Sequence, residues 1–207
     1  MMTKVGSLLK QTKTTRCAGD GQKNNCGGYE LLYKSNESEM SAAMRTAELM
    51  VAAARTAPKA CGIDNINTLV LDGEDKDKLT TVMRELGQES DRPFFIRDAG
   101  NVDACHCVIL IGVAVNPPGL NCALCGVENC ETAANNNISC AMAVNDLGIA
   151  VGSAAATAMD CRVDNRILFT AGMAALKLKL FPDNVKMCFG IGLAVTGKNV
   201  FFDRPAL

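Results

Sequence analysis

Three cysteines fall within nine residues, at Cys122, Cys125 and Cys130, and Cys140 follows ten positions later. Two thiols separated by two residues can grip one metal centre from a single turn, because the peptide between them is just long enough to wrap it. The third and fourth sulfurs complete a tetrathiolate set. Four thiolates carry negative charge, so their surroundings must offer backbone N–H donors and keep water out. Gly126, directly after Cys125, frees the backbone to turn amides toward sulfur. Cys130 opens an expected short helix over 131–137, and a helix N-terminus favours negative charge. Leu120, Leu124, Ala141 and Met142 are expected to wall the site with apolar surface. Zinc sites usually show two paired C-x-x-C knuckles. Here the third and fourth cysteines are spread out, which favours one [4Fe–4S] cluster on Cys122, Cys125, Cys130 and Cys140, with zinc as the alternative. A set of free buried thiols is the least favoured reading, although cysteine is common in cores.

The remaining chemistry-bearing residues read differently. Cys61 and Cys188 lie in apolar segments and are expected to be core thiols. Cys105-His106-Cys107 holds the single His of the chain. It leads straight into an apolar run, so a strand entrance is preferred to a soft ligand trio. Cys161 is the runner-up for the fourth ligand. Cys17 and Cys26 could form a resolving thiol pair. One His excludes hydrolytic triads and histidine-rich metal centres. Arg162, Asp164, Asn165 and Arg166 read as a capped helix start with a solvated ion pair. Gly190, Gly192 and Gly197 read as sites of a bend or close packing. No strand precedes the glycine pairs Gly19/Gly21 and Gly27/Gly28, so they do not form a phosphate loop.

The elements that position these groups can be read from periodicity. Met40, Ala43, Met44, Ala47, Met50 and Val51 recur at helical spacing, with Asn36 or Ser38 as cap, and this helix ends near Ala57-Pro58. Residues 67–71 form a strand candidate. An amphipathic helix is expected over 74–86, closed by Gly87. Phe94-Phe95-Ile96 reads as a short strand and 98–104 as one helical turn. The unbroken apolar run 108–115 marks a strand covered on both faces, ended by Asn116-Pro117-Pro118-Gly119. Residues 139–159 read as a buried helix, and Asp164 caps another through Leu176. Residues 185–195 and 200–202 close the sheet. The fold class is α+β, a central mixed or antiparallel sheet flanked by helices with an inserted Cys-rich loop. Residues 1–35 form an N-terminal arm, and 36–207 a single domain containing the Cys-rich segment over 119–178.

A chain of 207 residues with 48% apolar residues buries a proper core unaided. Lys and Arg total 21 against 22 Asp and Glu, and aromatic residues make up 4%, which argues against a nucleic-acid partner. Eleven cysteines is an odd count, unlike a secreted disulfide scaffold. The first ten residues lack an apolar core of signal-peptide length. Residues 141–159 are interrupted by Asn145, Asp146, Gly148 and Gly152, so no membrane span is expected. The expected location is the cytoplasm, with thiols reduced or metal-bound.

Residues 119–176 closely resemble the family of proteins with a ferredoxin domain (DUF2148). The resemblance rests on Cys122-x-x-Cys125-Gly126-x-x-x-Cys130, on Cys140, on Asp146-Leu147-Gly148-Ile149-Ala150-Val151-Gly152-Ser153-Ala154, and on Val163-Asp164-Asn165-Arg166. Thr56-Ala57-Pro58-Lys59 and Phe95-Ile96-Arg97-Asp98-Ala99-Gly100-Asn101 extend it. It implies a four-cysteine iron–sulfur site. More distantly, Ala53-Ala54-Arg55-Thr56-Ala57-Pro58 and residues 147–152 resemble the nitroreductase fold. That family binds FMN at a homodimer interface and reduces small electrophiles with a nicotinamide donor. Its phosphate-holding arginine cluster is represented here by Arg16, and Lys59-Ala60-Cys61-Gly62 stands where it carries an Asn. These likenesses imply a redox protein, with electrons passing to a partner protein or a small-molecule acceptor. A flavin reductase with an auxiliary cluster and a zinc-pinned interaction module are the other readings. The Met- and Ala-rich helices suggest a homodimer.

Overall fold

A computed structural model describes residues 33–202. The elements run α1 (Ser35–Thr56), a 3-10 turn (Ala60–Gly62), β1 (Ile66–Leu71), α2 (Gly73–Glu89), α3 (Pro93–Asp103), β2 (Cys107–Ala114), α4 (Cys130–Asn135), α5 (Ala141–Asp160), β3 (Asp164–Leu168), α6 (Phe169–Lys177) and β4 (Val185–Ala194). The sheet has the order β1-β2-β4-β3, with every pairing antiparallel. Leu110 of β2 faces Leu69 on one side and Gly190 on the other.

Every residue of β2 is buried, as its unbroken apolar run requires. Side chains alternate across a strand, so the run feeds two cores. Cys107, Ile109, Ile111 and Val113 join the core under α1 and α5. Val108, Leu110 and Ala114 join the core shared with α2, α3 and α6. α1 and α5 meet through small side chains, among them Ala43, Ala47 and Ala54 against Ala150, Ala154 and Ala158, all buried. α5 is the one described helix long and apolar enough to cross a membrane by length and composition, and its buried positions here face α1 and the sheet.

Two glycines set the spacing of α6 on β4. A Cβ on Gly172 would lie 1.7 Å from the carbonyl oxygen of Cys188, and one on Gly190 would lie 2.6 Å from the Ala171 Cβ. Gly192 is equally committed, since a Cβ there would meet the Cys105 sulfur at 2.7 Å. Close packing is thus the role of Gly190 and Gly192, whereas Gly197 has nothing near it.

Several local expectations are overturned. Phe94-Phe95-Ile96 is helical, because Pro93 occupies the first turn of α3, where its missing N–H is harmless. Phe95, Ala99 and Val102 then form one buried face. Gly87 does not end α2; it lies inside the helix, which runs to Glu89, and a Cβ there would press on Phe95 at 3.0 Å. Residues 164–168 form a strand paired with β4, and α6 begins only at Phe169, so Asp164 caps nothing and the polar clump is no helix start. Residues 200–202 make a turn closed by Phe202 N–H on the Asn199 carbonyl at 3.4 Å. Phe201 is buried there and the Arg166 guanidinium covers the Phe202 ring at 5.4 Å. Asn36 and Ser38 lie within α1, and Lys34 precedes it without a side-chain cap.

Gly172→Ala should lower unfolding free energy by about 3 kcal/mol or more, since backbone rather than a yielding side chain is in the way. Gly100→Ala, in α3 with nothing within 4 Å of the added methyl, should raise it by about 0.5–1 kcal/mol. Urea titration of the two variants is expected to show shifts of opposite sign.

Candidate metal centre

The buried strand β2 ends at Ala114 and delivers the chain to a loop that α4 and then α5 terminate. Gly119 (φ 80°), Asn121 (φ 47°), Ala123 (φ 57°) and Gly126 (φ 85°) all adopt left-handed backbone conformations. For Asn121 and Ala123 that conformation costs about 1–2 kcal/mol each, so the loop is wound against its own preference. Alternation of right- and left-handed residues turns successive N–H groups toward one concave side.

Cys122, Cys125, Cys130 and Cys140 line one cavity of about 10 Å³, together with Leu120 and Met142. Cys122 is exposed, Cys125 and Cys130 are half-buried, and Cys140 is buried. As arranged, no three His, Cys, Asp or Glu side chains among the described residues converge to metal-ligand geometry. The chain therefore surrounds one small space with the four predicted sulfurs without drawing them to a common point. Leu124 departs from expectation: it is not part of the wall and stands 67% exposed.

Cys130 is the first residue of α4, whose preceding Asn129 accepts the Thr132 N–H at 2.8 Å. Cys140 immediately precedes the 20-residue helix α5 and does not cap it with its side chain. Cysteine is not among the residues that normally cap helices, and Ala141 and Met142, the first residues of α5, line the same cavity. Gly126 has the positive φ its position suggests, but its N–H goes to the Ala123 carbonyl at 3.0 Å. Sulfur is met instead by Asn121. Its backbone N–H reaches the Cys130 Sγ at 3.3 Å, and its Oδ1 accepts the Cys130 N–H at 2.8 Å. Four soft donors, an N–H···S contact and an uncapped helix end form a donor set that suits a thiolate-bound metal centre.

Cys161 follows the far end of α5 and is separated from Cys140 by the length of the helix, about 30 Å at about 1.5 Å per residue, so it cannot replace Cys140. Cys105, His106 and Cys107 do not act as a ligand trio. Cys107 belongs to the core under α1 and α5, whereas Cys105 packs with Ala194 and Phe201 and donates to the Asn101 carbonyl at 3.2 Å. His106 Nδ1 accepts the Val195 N–H at 3.3 Å. Cys188 is a core thiol as expected, while Cys61 is exposed in the turn after α1, at φ 55°. Cys17, Cys26 and Arg16 lie outside the described residues.

Periodicity missed the polar anchors of this frame. The Asp146 carboxylate accepts the Ala60 N–H, at 3.1 Å and 3.0 Å to its two oxygens, tying α5 to the turn after α1. Lys59 Nζ donates to the carbonyls of Ala54, Arg55 and Ala57, closing α1. Buried Lys76 does the same for α3, donating to Val102, Asp103 and Cys105. A visible signal existed for Lys76, because it shares the buried stripe of Leu79, Thr80 and Met83 on α2. Asn121 had none beyond standing next to a cysteine.

The family described as "Uncharacterized protein containing a ferredoxin domain (DUF2148)" matches residues 136–204, a stretch that begins after Cys130 and takes in Cys140. An uncharacterized protein from Archaeoglobus fulgidus is 37% identical over 165 residues, spanning 75% of this chain and 88% of its own. The chain belongs to this ferredoxin-domain family. Members of a second group share the fold. A nitroreductase with bound FMN from Desulfitobacterium hafniense superposes with a TM-score of 0.51 at 13% identity, over 74% of this chain and 78% of that one. An oxidoreductase containing FMN gives 0.50 at 14% identity, over 74% and 67%. The fold of the family member described here is thus nitroreductase-like.

Burial pushes the Cys105 and Cys107 thiols up to about 12, against the pull of nearby Lys76. Burial likewise pushes Cys188 up to about 12, opposed by a backbone hydrogen bond at Ile111. In metal-free native protein at pH 8, iodoacetamide should label Cys61 and Cys122 within minutes and leave these three unmodified until denaturant is added. The raised values also set a sign. The unfolded chain ionises these thiols first, so folding stability should hold below about pH 9 and decline toward about pH 12, as alkaline unfolding curves will show.

Proposed function

We infer that the protein is an iron–sulfur electron carrier, holding one [4Fe–4S] cluster on Cys122, Cys125, Cys130 and Cys140. The observation that carries this reading is the single cavity lined by all four sulfurs at the uncapped start of α5. Membership of a ferredoxin-domain family supports it. When bound, such a cluster supplies one-electron transfer. The chain's part is to supply the thiolates, to hold the Asn121 N–H against the Cys130 sulfur, and to exclude water with Leu120 and Met142. Residues 121–124 are exposed and belong to neither of the two cores that flank the sheet.

The size of the cavity favours a second reading. About 10 Å³ has room for roughly one water-sized sphere, which suits a single zinc ion on the same four thiolates and a structural role. A flavin reading draws on the FMN named for the two fold relatives, with the acceptor then a small electrophile. In each case the uncharged exposed positions Gly148, Ile149 and Gly152 of α5 offer a surface for a second copy of the chain.

Protein purified and reconstituted without oxygen should contain iron and sulfide in the proportion of one [4Fe–4S] cluster and bleach on reduction. Cys125→Ala should abolish the chromophore, while Cys161→Ala and Cys188→Ala retain it. Equal loss in all three variants would contradict the ligand assignment. A colourless protein with one zinc per chain would favour the structural reading, and flavin released on denaturation the third.

A further inference from the structure

Asn121 and Cys130 are joined twice. The Asn121 N–H reaches the Cys130 Sγ at 3.3 Å, and the Cys130 N–H reaches the Asn121 Oδ1 at 2.8 Å. The two bonds close a ring across nine positions of sequence, and Cys122 and Cys125 both lie on the segment so enclosed. Three of the four cavity-lining sulfurs therefore belong to one closed segment. The Asn121 side chain suits this arrangement in two ways. Cys130 is the first residue of α4, so its N–H has no partner within the helix, and the carboxamide supplies one. Asn121 also has φ 47°, a left-handed conformation that asparagine accepts more readily than most residues. With its Oδ1 fixed on the Cys130 N–H, its own N–H is held on the Cys130 sulfur.

We propose that Asn121 is the positioning residue of the thiolate centre. Its side-chain bond to the Cys130 N–H latches the loop, and the latch sets how tightly the thiolates hold metal and how much charge the Cys130 sulfur donates. The proposal rests on the four-thiolate reading above and adds a residue that is not itself a ligand. It holds equally for a cluster and for a single ion. An N–H donated to a thiolate draws electron density from sulfur, and removing an outer-shell partner of this kind weakens metal binding by about 10–100-fold. Both bonds are exposed to water, so the lower end of that range applies.

Cobalt(II) is the probe, because it takes thiolate ligands and reports on them by colour. The full chain, metal-free and reduced, is titrated without oxygen, and each thiol that binds releases its proton to the buffer. Wild type should develop the intense sulfur-to-cobalt absorption of a four-thiolate site. Asn121→Gly keeps the left-handed backbone and removes the acceptor. It should bind cobalt about tenfold more weakly. Its sulfur-to-cobalt band should move to longer wavelength, since sulfur loses a hydrogen bond. Asn121→Asp keeps the acceptor and should match wild type in both respects in about 1 M salt, where the Debye length is about 3 Å and its added charge is screened. Asn136→Ala removes the bond from that side chain to the Thr132 carbonyl at the far end of α4 and should change neither. Asn121→Ala, which also lacks the acceptor, gives the same reading should the glycine variant not fold. Wild-type affinity and band position without the acceptor, a loss in Asn121→Asp equal to that in Asn121→Gly, or an equal loss in Asn136→Ala would overturn the positioning role. A wild-type chain that binds cobalt without the four-thiolate absorption overturns the ligand assignment itself, and the positioning role with it, before any variant is made.

Discussion

The contact between α1 and α5 is the constraint on which the site depends. Small side chains on both helices let their backbones come close, and the joint surface closes over one face of the sheet. Asp146 adds a directional tie by accepting the Ala60 N–H, and Ser153 donates to the Ala53 carbonyl at 3.3 Å. Partly buried hydrogen bonds of this kind fix one register where alanine packing alone would tolerate several. Cys140 is thereby held at a set point, as the residue before α5, while the other three cysteines arrive on a loop with little core of its own. Of the four cavity-lining thiols, one thus precedes the long helix α5, one opens the short helix α4 and two stand on the loop.

The sheet divides labour in the same way. β2 is buried on both faces because helices cover both, not because its neighbours are parallel, and its apolar run alone could not distinguish the two arrangements. The α6 side is the tighter one, since Gly172 and Gly190 bring helix and strand to backbone contact. The cysteine loop leaves the sheet at the end of β2, so the most deeply buried strand anchors one end of the loop and the most apolar helix the other.

Much of this was legible in the residues. The helical spacing of Met40, Ala43, Ala47 and Met50 yields α1, the unbroken run through Ile109 and Ile111 yields β2, and cysteine spacing marks the four thiols that share a cavity. The errors have local causes. Phe94-Phe95-Ile96 has strand-forming side chains, but Pro93 and the packing of Phe95 on α2 make it helical. Asp164-Asn165-Arg166 has the composition of a helix cap, yet pairing with β4 makes it strand, a contact far away in sequence. Asn121 was invisible because its role depends on a left-handed turn that brings it back to Cys130.

Nine described cysteines carry free thiols, and the hydrophobic packing sorts them. In the unfolded chain every sulfur is an equal claimant for metal. Once the sheet has closed, Cys105, Cys107 and Cys188 are held protonated inside it, and Cys161 is a helix-length away. Folding thus sorts the sulfurs, leaving four of the nine around one cavity and setting the other five apart from it.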